Sequence, residues 1–166
     1  MSHDQTINPL SIVCDCMVFL QAVANDDSPA AIILDLMDAG EVRLYVSEQI
    51  LREVREVMSR PRLRAKLSGL TDERIEALFR RLERQAFWLR EVAPKFDFRR
   101  DPKDAPYINL AAAAAADFII SRDHDLLDLM SRYDDDSKEF RQRFRPLKVI
   151  TPEAFLAEVE RNRERE

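Results

Sequence analysis

The strongest indication of the fold is residues 101–127, DPKDAPYINLAAAAAADFIISRDHDLL. An alanine-rich helix is predicted up to about Ala116, and the short apolar run Phe118–Ser121 is predicted as a buried strand. Acidic residues stand at both ends of this unit, since Asp104 precedes the helix and Asp123 follows the strand. The segment therefore predicts one helix followed by one strand of an α/β fold, with a carboxylate at each end of the pair.

The same alternation runs through the rest of the chain. Short apolar runs predict further strands at Ser11–Cys16, Val42–Val46, Phe87–Val92 and Lys148–Ile150. N-capping residues predict helices that begin at Ser28, Ser47, Thr71 and Thr151, the first ended by Gly40 and the second by Pro61. A short helix is predicted around Leu126–Met130, and a charged loop with Asp134, Asp135 and Asp136 follows it.

Strands that alternate with helices imply right-handed crossovers and a sheet covered on both faces. We therefore expect an α/β fold, a three-layer α/β/α arrangement with a central, mainly parallel sheet of about five strands. The length fits one domain over residues 1–166, with an ordered core at about 11–157 and peripheral termini. No apolar run approaches the roughly 20 residues of a membrane span, and Met1–Pro9 lacks the pattern of a secretion signal.

The two cysteines, Cys14 and Cys16, lie in one apolar run and cannot form a disulfide framework, which suits a reducing cytoplasm. Strand alternation predicts that both thiols point away from Asp15. Two thiols without a second pair nearby make a poor zinc site. We expect them to be small buried side chains.

The formal net charge of −5 argues against a simple electrostatic nucleic-acid binder. Arginines are nevertheless concentrated between residues 52 and 90, so that a basic lobe facing an acidic site is one hypothesis. The alternative is that these side chains only solvate helix surfaces. The candidate RNA-binding residues are Arg52, Arg60, Arg62 and Arg122.

Four acids fall where the carboxyl ends of parallel strands bind ligands. Asp15 ends the first predicted strand, Asp123 lies two residues beyond Ser121, and Asp104 stands at the start of the alanine-rich helix. Glu53 lies beside the apolar stripe of its helix, whereas its neighbouring glutamates point further towards solvent. Such a cluster would repel itself without cations, and oxygen-only ligands favour Mg²⁺ or Mn²⁺. Ions of this kind suit phosphodiester hydrolysis.

Each acid also has a purely structural interpretation. Asp104 fits an N-cap and Asp101 fits a turn before proline, while Asp123 and Asp125 fit caps of the next helix. Glu53 alone fits a surface residue. A carboxylate at Asp15 is expected to be buried and to need a partner. The joint placement of these acids favours a site over separate structural roles.

Three segments resemble the PIN-domain nucleases, and more narrowly the bacterial toxin components of toxin–antitoxin systems. The resemblance lies in residues 101–111, in SRDHDLL at 121–127 and in VITPEAFL at 149–156. The segment 47–61 resembles the family's stretch that carries an acid, which falls on Glu53. The resemblance covers about residues 12–156.

This resemblance implies a metal-dependent endoribonuclease, with Mg²⁺ or Mn²⁺ bound by the catalytic acids Asp15, Glu53, Asp104 and Asp123. It places Ser121 at the family's hydroxyl position and Asp125 as an auxiliary acid. RNA is the implied substrate, while an antitoxin protein and a homodimer remain open as partners, and no membrane is expected. The family usually has Asp-Thr-Asn where this chain has Asp15, Cys16 and Met17, and Gln21 is a candidate substitute for the missing asparagine.

Two other functions stay open. Met17 motivates a catalytically weak or inactive PIN domain that binds RNA or protein, because a thioether is a poor ligand for a hard ion. A phosphoacceptor of the response-regulator type also has acids at strand ends, a hydroxyl near Ser121 and a lysine near Lys148. That lysine, however, precedes the last strand's apolar residues, and the segment 101–104 has no role in such a protein.

Overall fold

The computed structural model describes residues 8–165, and within them five strands form one sheet. All neighbouring strands are parallel, in the order β3-β2-β1-β4-β5. The α/β class with a parallel sheet of five strands is therefore confirmed. The strands are β1 (Leu10–Cys14), β2 (Val42–Ser47), β3 (Phe87–Leu89), β4 (Phe118–Ile120) and β5 (Lys148–Ile150).

Helices fill the connections, and four of them begin where the sequence predicts. The side chains of Ser28, Ser47, Thr71 and Thr151 each accept a hydrogen bond from a backbone N–H of the helix that follows. Short 3₁₀ turns lie at Pro102–Asp104 and Asp128–Met130. The α-helices are α1 (Cys16–Ala24), α2 (Pro29–Asp38), α3 (Glu48–Met58), α4 (Pro61–Lys66), α5 (Asp72–Gln85), α6 (Ala105–Ala114), α7 (His124–Leu127), α8 (Asp135–Arg143) and α9 (Pro152–Glu164).

The strand order reverses direction at β1, and this reversal positions the site. The chain runs from β1 outward to β2 and β3, then returns to the other side of β1 for β4 and β5. Right-handed crossovers then put α1–α5 on one face of the sheet and α6 on the other. A crevice opens at the carboxyl ends of the two strands where such an order reverses. Here those strands are β1 and β4.

Helix α6 covers the sheet on the face opposite α1. It contacts β1, β2 and β4, and its residues Ile108, Leu110 and Ala111 are buried. The buried side of α6 is thus formed mainly by its first half, and only Ala111 and Ala116 of the alanine run are buried.

Some element boundaries differ from those predicted. Strand β1 ends at Cys14 because Asp15 takes the N-cap position of α1. Pro61 does end α3, but it also begins α4, since proline suits the first turn of a helix. The expected charged loop at 134–136 instead begins helix α8, with Asp134 as its N-cap. Among residues 8–165 no helix combines the length and the apolar character that crossing a membrane requires.

Candidate metal centre

Asp15 lies at the carboxyl end of β1, next to the end of β4. Its backbone N–H donates to the carbonyl of Ile120 at 3.1 Å, which continues the pairing of the two strands. Its Oδ1 accepts from the backbone N–H of Val18 at 3.1 Å, so that the carboxylate caps α1. The residue is only 4% exposed. A carboxylate is therefore held inside the crevice by the start of a helix.

Ser121 connects Asp15 with Asp123. The buried Ser121 hydroxyl donates to Oδ2 of Asp15 and accepts from the backbone N–H of Asp123 at 2.9 Å. One side chain thus fixes the acid that follows β1 and the residue that follows β4. Ser121 thus joins the carboxylate of Asp15 to the backbone of Asp123, and a shared metal ion for the two acids remains a prediction.

Three carboxylates come close enough together to bind one ion. Oxygen atoms of Asp101, Asp104 and Asp123 lie within 4.8 Å of one another. Asp123 contributes from the end of β4, and the other two come from the 3₁₀ turn that precedes α6. Hydrogen bonds account for part of this arrangement, since the backbone N–H of Lys103 donates to Asp101 at 3.3 Å and that of Asp125 donates to Asp123 at 2.8 Å.

Asp104 differs from the other acids because it stands at a capping position without capping. Its residue is the N-cap of α6, but its side chain accepts no hydrogen bond from that helix. Its Oδ2 atom is buried and has no hydrogen-bond partner within residues 8–165. A buried carboxylate oxygen without a partner is unfavourable, so the role of a simple cap does not explain Asp104.

The pKa values of these acids reflect burial and mutual repulsion. Burial raises the pKa of Asp15 to about 6, although hydrogen bonds from Ser121 and Val18 act to lower it. Burial also raises the pKa of Asp104, and the negative charges of Asp123 and Asp101 raise it further. Like charges held together in this way are stabilised when a cation binds between them.

Glu53 lies on the rim of the same crevice. It is half-buried on α3, whereas Glu48 and Glu56 are exposed and pair with Arg52 of that helix and with Arg60 just beyond it. Burial raises the pKa of Glu53. The charge of Lys103 acts to lower it, and the charges of Glu56 and Asp101 act to raise it. The helical geometry inferred from the sequence thus agrees with the structure.

The donor set suits a hard divalent cation. Every candidate ligand in the cluster is a carboxylate oxygen, and such ligands favour Mg²⁺, Mn²⁺ or Ca²⁺ over softer ions. The buried Oδ2 of Asp104, which has no partner within residues 8–165, is an oxygen that could serve as a ligand. The acidic group Asp101, Asp104 and Asp123 is thus able to bind a metal ion.

Sequence reasoning missed two residues of this centre. Asp101 was interpreted as a turn residue, and it does accept a turn hydrogen bond, but it also belongs to the group of three carboxylates. Tyr107 was not considered, although its buried hydroxyl has no hydrogen-bond partner among the described residues. The available signal was spacing, since residues three apart at the start of a helix lie on one side of it.

The auxiliary candidates are engaged in contacts of their own. The amide oxygen of Gln21 accepts from Nε of Arg122 at 2.8 Å, and Arg122 also pairs with Glu153. Asp125 faces Arg100, with Nε to Oδ1 at 3.5 Å. The proposed roles of Gln21 and Asp125 at the metal remain predictions.

The candidate RNA-binding arginines differ in how far their charges are compensated. Arg52 pairs with Glu48 at 2.9 Å and Arg60 pairs with Glu56 at 3.0 Å. Arg62 is exposed and forms no ion pair within the part of the chain that the structure describes. Arg62 is therefore the residue of this group whose charge is most available to an anion.

The cysteines do not provide thiolate ligands. Cys14 is buried at the end of β1, and Cys16 is the first residue of α1. Strand alternation therefore does not extend to Cys16, and burial and the charges of Glu53 and Asp15 raise its pKa. The expectation that both thiols point away from Asp15 rested on a strand that ends two residues earlier than predicted. Both thiols are neutral side chains at neutral pH.

Comparisons with known proteins agree with this architecture. A family model described as PIN domain matches residues 11–125, which include Asp15, Glu53, Asp104 and Asp123. The chain is also similar to the uncharacterized protein MJ1680 of Methanocaldococcus jannaschii, with 30% identity over 152 residues. That alignment covers 92% of this chain and 93% of the archaeal protein.

The fold and the site define an α/β protein with an acidic crevice at the reversal of strand order. The chain belongs to the PIN-domain family. Members of this family are nucleases and typically use divalent metals, so the chain has a nuclease-type fold with an acidic group able to hold such an ion.

Proposed function

We propose that the protein is a metal-dependent endoribonuclease that hydrolyses RNA phosphodiester bonds, with residues 1–166 acting as one domain. The observation that carries the proposal is the cluster of Asp101, Asp104 and Asp123, in which the buried Oδ2 of Asp104 has no partner. Asp15 and Glu53 complete the catalytic set. The cofactor is Mg²⁺ or Mn²⁺.

The acids divide into ligands and supporting residues. Asp101, Asp104 and Asp123 would hold the ion, since their oxygens lie within 4.8 Å of one another. Asp15 is oriented by Ser121 and Val18 and adds negative charge beside Asp123. When bound, the divalent ion supplies positive charge that lowers the pKa of water and offsets negative charge on the phosphate. No nucleophilic serine, cysteine or lysine is required.

Cleavage of labelled RNA by the purified protein tests this proposal. With Mn²⁺ or Mg²⁺ the wild-type protein should cut the RNA, and Asp104→Asn should reduce the rate by roughly 100-fold or more, as expected for loss of a group that stabilises transition-state charge. The matched control is Asp27→Asn, an exposed aspartate beyond the far end of α1. Equal cleavage by wild type and Asp104→Asn would contradict the assignment.

A role as the toxin of a toxin–antitoxin pair, with an antitoxin protein as partner, is the narrower form of this proposal. It is supported by the similarity of residues 101–111 and 121–127 to that group. Induced expression in bacteria should arrest growth, and Asp104→Asn should abolish the arrest. Normal growth under wild-type expression would favour an RNA-processing nuclease instead.

The second candidate is a catalytically inactive PIN domain that binds RNA or protein. The observation in its favour is Met17, which is 45% exposed where the family usually has asparagine. Calorimetric titration separates the two functions, because the inactive domain should bind no Mn²⁺ at millimolar concentration.

A further inference from the structure

Tyr107 is a buried residue whose hydroxyl group the packing of the core does not explain. It lies on the first turn of α6, three residues after Asp104, and is 1% exposed. Its Oη atom has no hydrogen-bond partner within residues 8–165. A phenylalanine would fill the same space without burying a polar group. The hydroxyl therefore requires a partner from outside the described residues.

The surroundings of Tyr107 indicate which kind of partner this is. Burial raises the pKa of the phenol, and the negative charges of the carboxylates of Glu53, Asp15 and Asp104 raise it further. The hydroxyl accordingly stays protonated and is available as a donor. Oδ2 of Asp104 also has no partner within residues 8–165 and is an acceptor when the carboxylate is ionised, as it would be when it binds a cation. Asp104 and Tyr107 are three residues apart at the start of α6, so both lie on one side of that helix.

We propose that Tyr107 is a positioning residue of the metal centre, whose hydroxyl donates to a water molecule that enters the cluster together with the divalent cation. Divalent ions of the Mg²⁺ type lose water reluctantly and bring part of their hydration shell into protein sites. Such a water accepts from the phenol, while Asp104 binds the ion. This inference rests on the cation site of the proposed function and does not require RNA cleavage.

Calorimetric titration of Tyr107→Phe with Mn²⁺ tests the inference, because this substitution removes the hydroxyl and keeps the ring. The affinity for Mn²⁺ should fall by about twofold to tenfold, the effect of one ordinary hydrogen bond. In EDTA the thermal midpoint should be equal to that of wild type or higher, since the hydroxyl has no partner there. Tyr133→Phe is the matched control, because Tyr133 is 82% exposed.

A second measurement does not depend on substituting Tyr107. In a Tyr45→Phe, Tyr133→Phe variant, Tyr107 is the remaining tyrosine of the three in the chain. Adding Mn²⁺ should change the ultraviolet absorption of this phenol, because donation of its proton in a hydrogen bond shifts the spectrum. An Asp104→Asn version of the same variant should show no such change.

The possible results separate this inference from the proposed function. The role of Tyr107 alone would be overturned if Tyr107→Phe bound Mn²⁺ with unchanged affinity. It would also be overturned if Mn²⁺ binding left the absorption of the Tyr107 phenol unchanged. Binding of Mn²⁺ by wild type without RNA cleavage would overturn the nuclease and leave the role of Tyr107 standing. Failure of the wild-type protein to bind Mn²⁺ would overturn both.

Discussion

At the scale of single residues, the acids of the crevice show how one residue type serves two purposes. Asp15 and Asp123 each accept a backbone hydrogen bond at the start of a helix, and Asp123 also belongs to the group of three carboxylates able to hold an ion. Asp104 occupies a capping position and forms no such bond. Sequence alone left capping and ligand roles open for Asp104, because both require a carboxylate before the first turn of a helix. The missing hydrogen bond distinguishes them.

The raised pKa of Asp15 predicts how the stability of the metal-free protein depends on pH. In the fold the pKa is about 6, against an ordinary value of 3.8. The contribution of Asp15 to stability is therefore fully present below pH 3.8 and is lost as the pH rises through about 6, because only the unfolded chain releases the proton readily. The Asp15→Asn variant should lack the part of this loss of stability that Asp15 contributes.

Urea unfolding in EDTA between pH 4 and pH 7 measures this effect. As the pH rises, the free energy of unfolding of wild type should fall relative to that of Asp15→Asn. Excess Mn²⁺ should reverse the trend for wild type, since a cation offsets the ionised carboxylates. A difference that stays constant across this range would contradict the assigned pKa.

At the scale of elements, most of the secondary structure could be predicted because capping residues and apolar runs are local signals. Helix α8 could not, since its residues are mostly charged and it buries little besides Ser137 and Phe140. The loop between β3 and α6 was equally undetermined. Its position depends on tertiary contacts, namely the burial of Phe96 and Phe98 and two hydrogen bonds to Asn109. That loop carries Asp101 into the site.

Asn109 should therefore affect cation binding from a distance. Its Oδ1 accepts from the backbone N–H groups of Lys95 and Phe96, both at 2.9 Å. Asn109→Ala leaves these donors without a partner and should cost about 1–3 kcal/mol of stability. Because the loop loses its attachment to α6, Mn²⁺ affinity should fall as well. Calorimetry measures the Mn²⁺ affinity, and urea unfolding measures the stability. A loss of stability with unchanged Mn²⁺ affinity would show that Asn109 has only a structural role.

At the scale of the whole molecule, the topology explains why distant acids meet. The order β3-β2-β1-β4-β5 places β1 beside β4, although Cys14 and Asp117, the residue before β4, are 103 positions apart in the sequence. The sequence predicted parallel strands with acids at their ends, from which a shared crevice follows. It could not predict which carboxylates approach within the reach of one ion, because that distance depends on the turn at 101–104.

The charge distribution predicts which arginine contributes most to RNA binding. Because Arg52 and Arg60 are paired with glutamates of α3, part of their charge is already compensated. Arg62 has no such partner in the described residues. In an Asp104→Asn background, Arg62→Ala should weaken RNA binding. The slope of the logarithm of the binding constant against the logarithm of the salt concentration should become less steep by about 0.7, the value for one phosphate contact with a single strand. Arg52→Ala should change both quantities less, and an equal effect would contradict this ranking.

The central claim is that the carboxylates of one crevice bind a divalent ion, and anomalous scattering from crystals soaked in Mn²⁺ tests it most directly. A peak is expected between the carboxylates of Asp101, Asp104 and Asp123, with Tyr107 and Asp15 beside it, and Asp104→Asn crystals should lack it. Wild-type crystals saturated with Mn²⁺ that show no peak in this crevice would contradict the account.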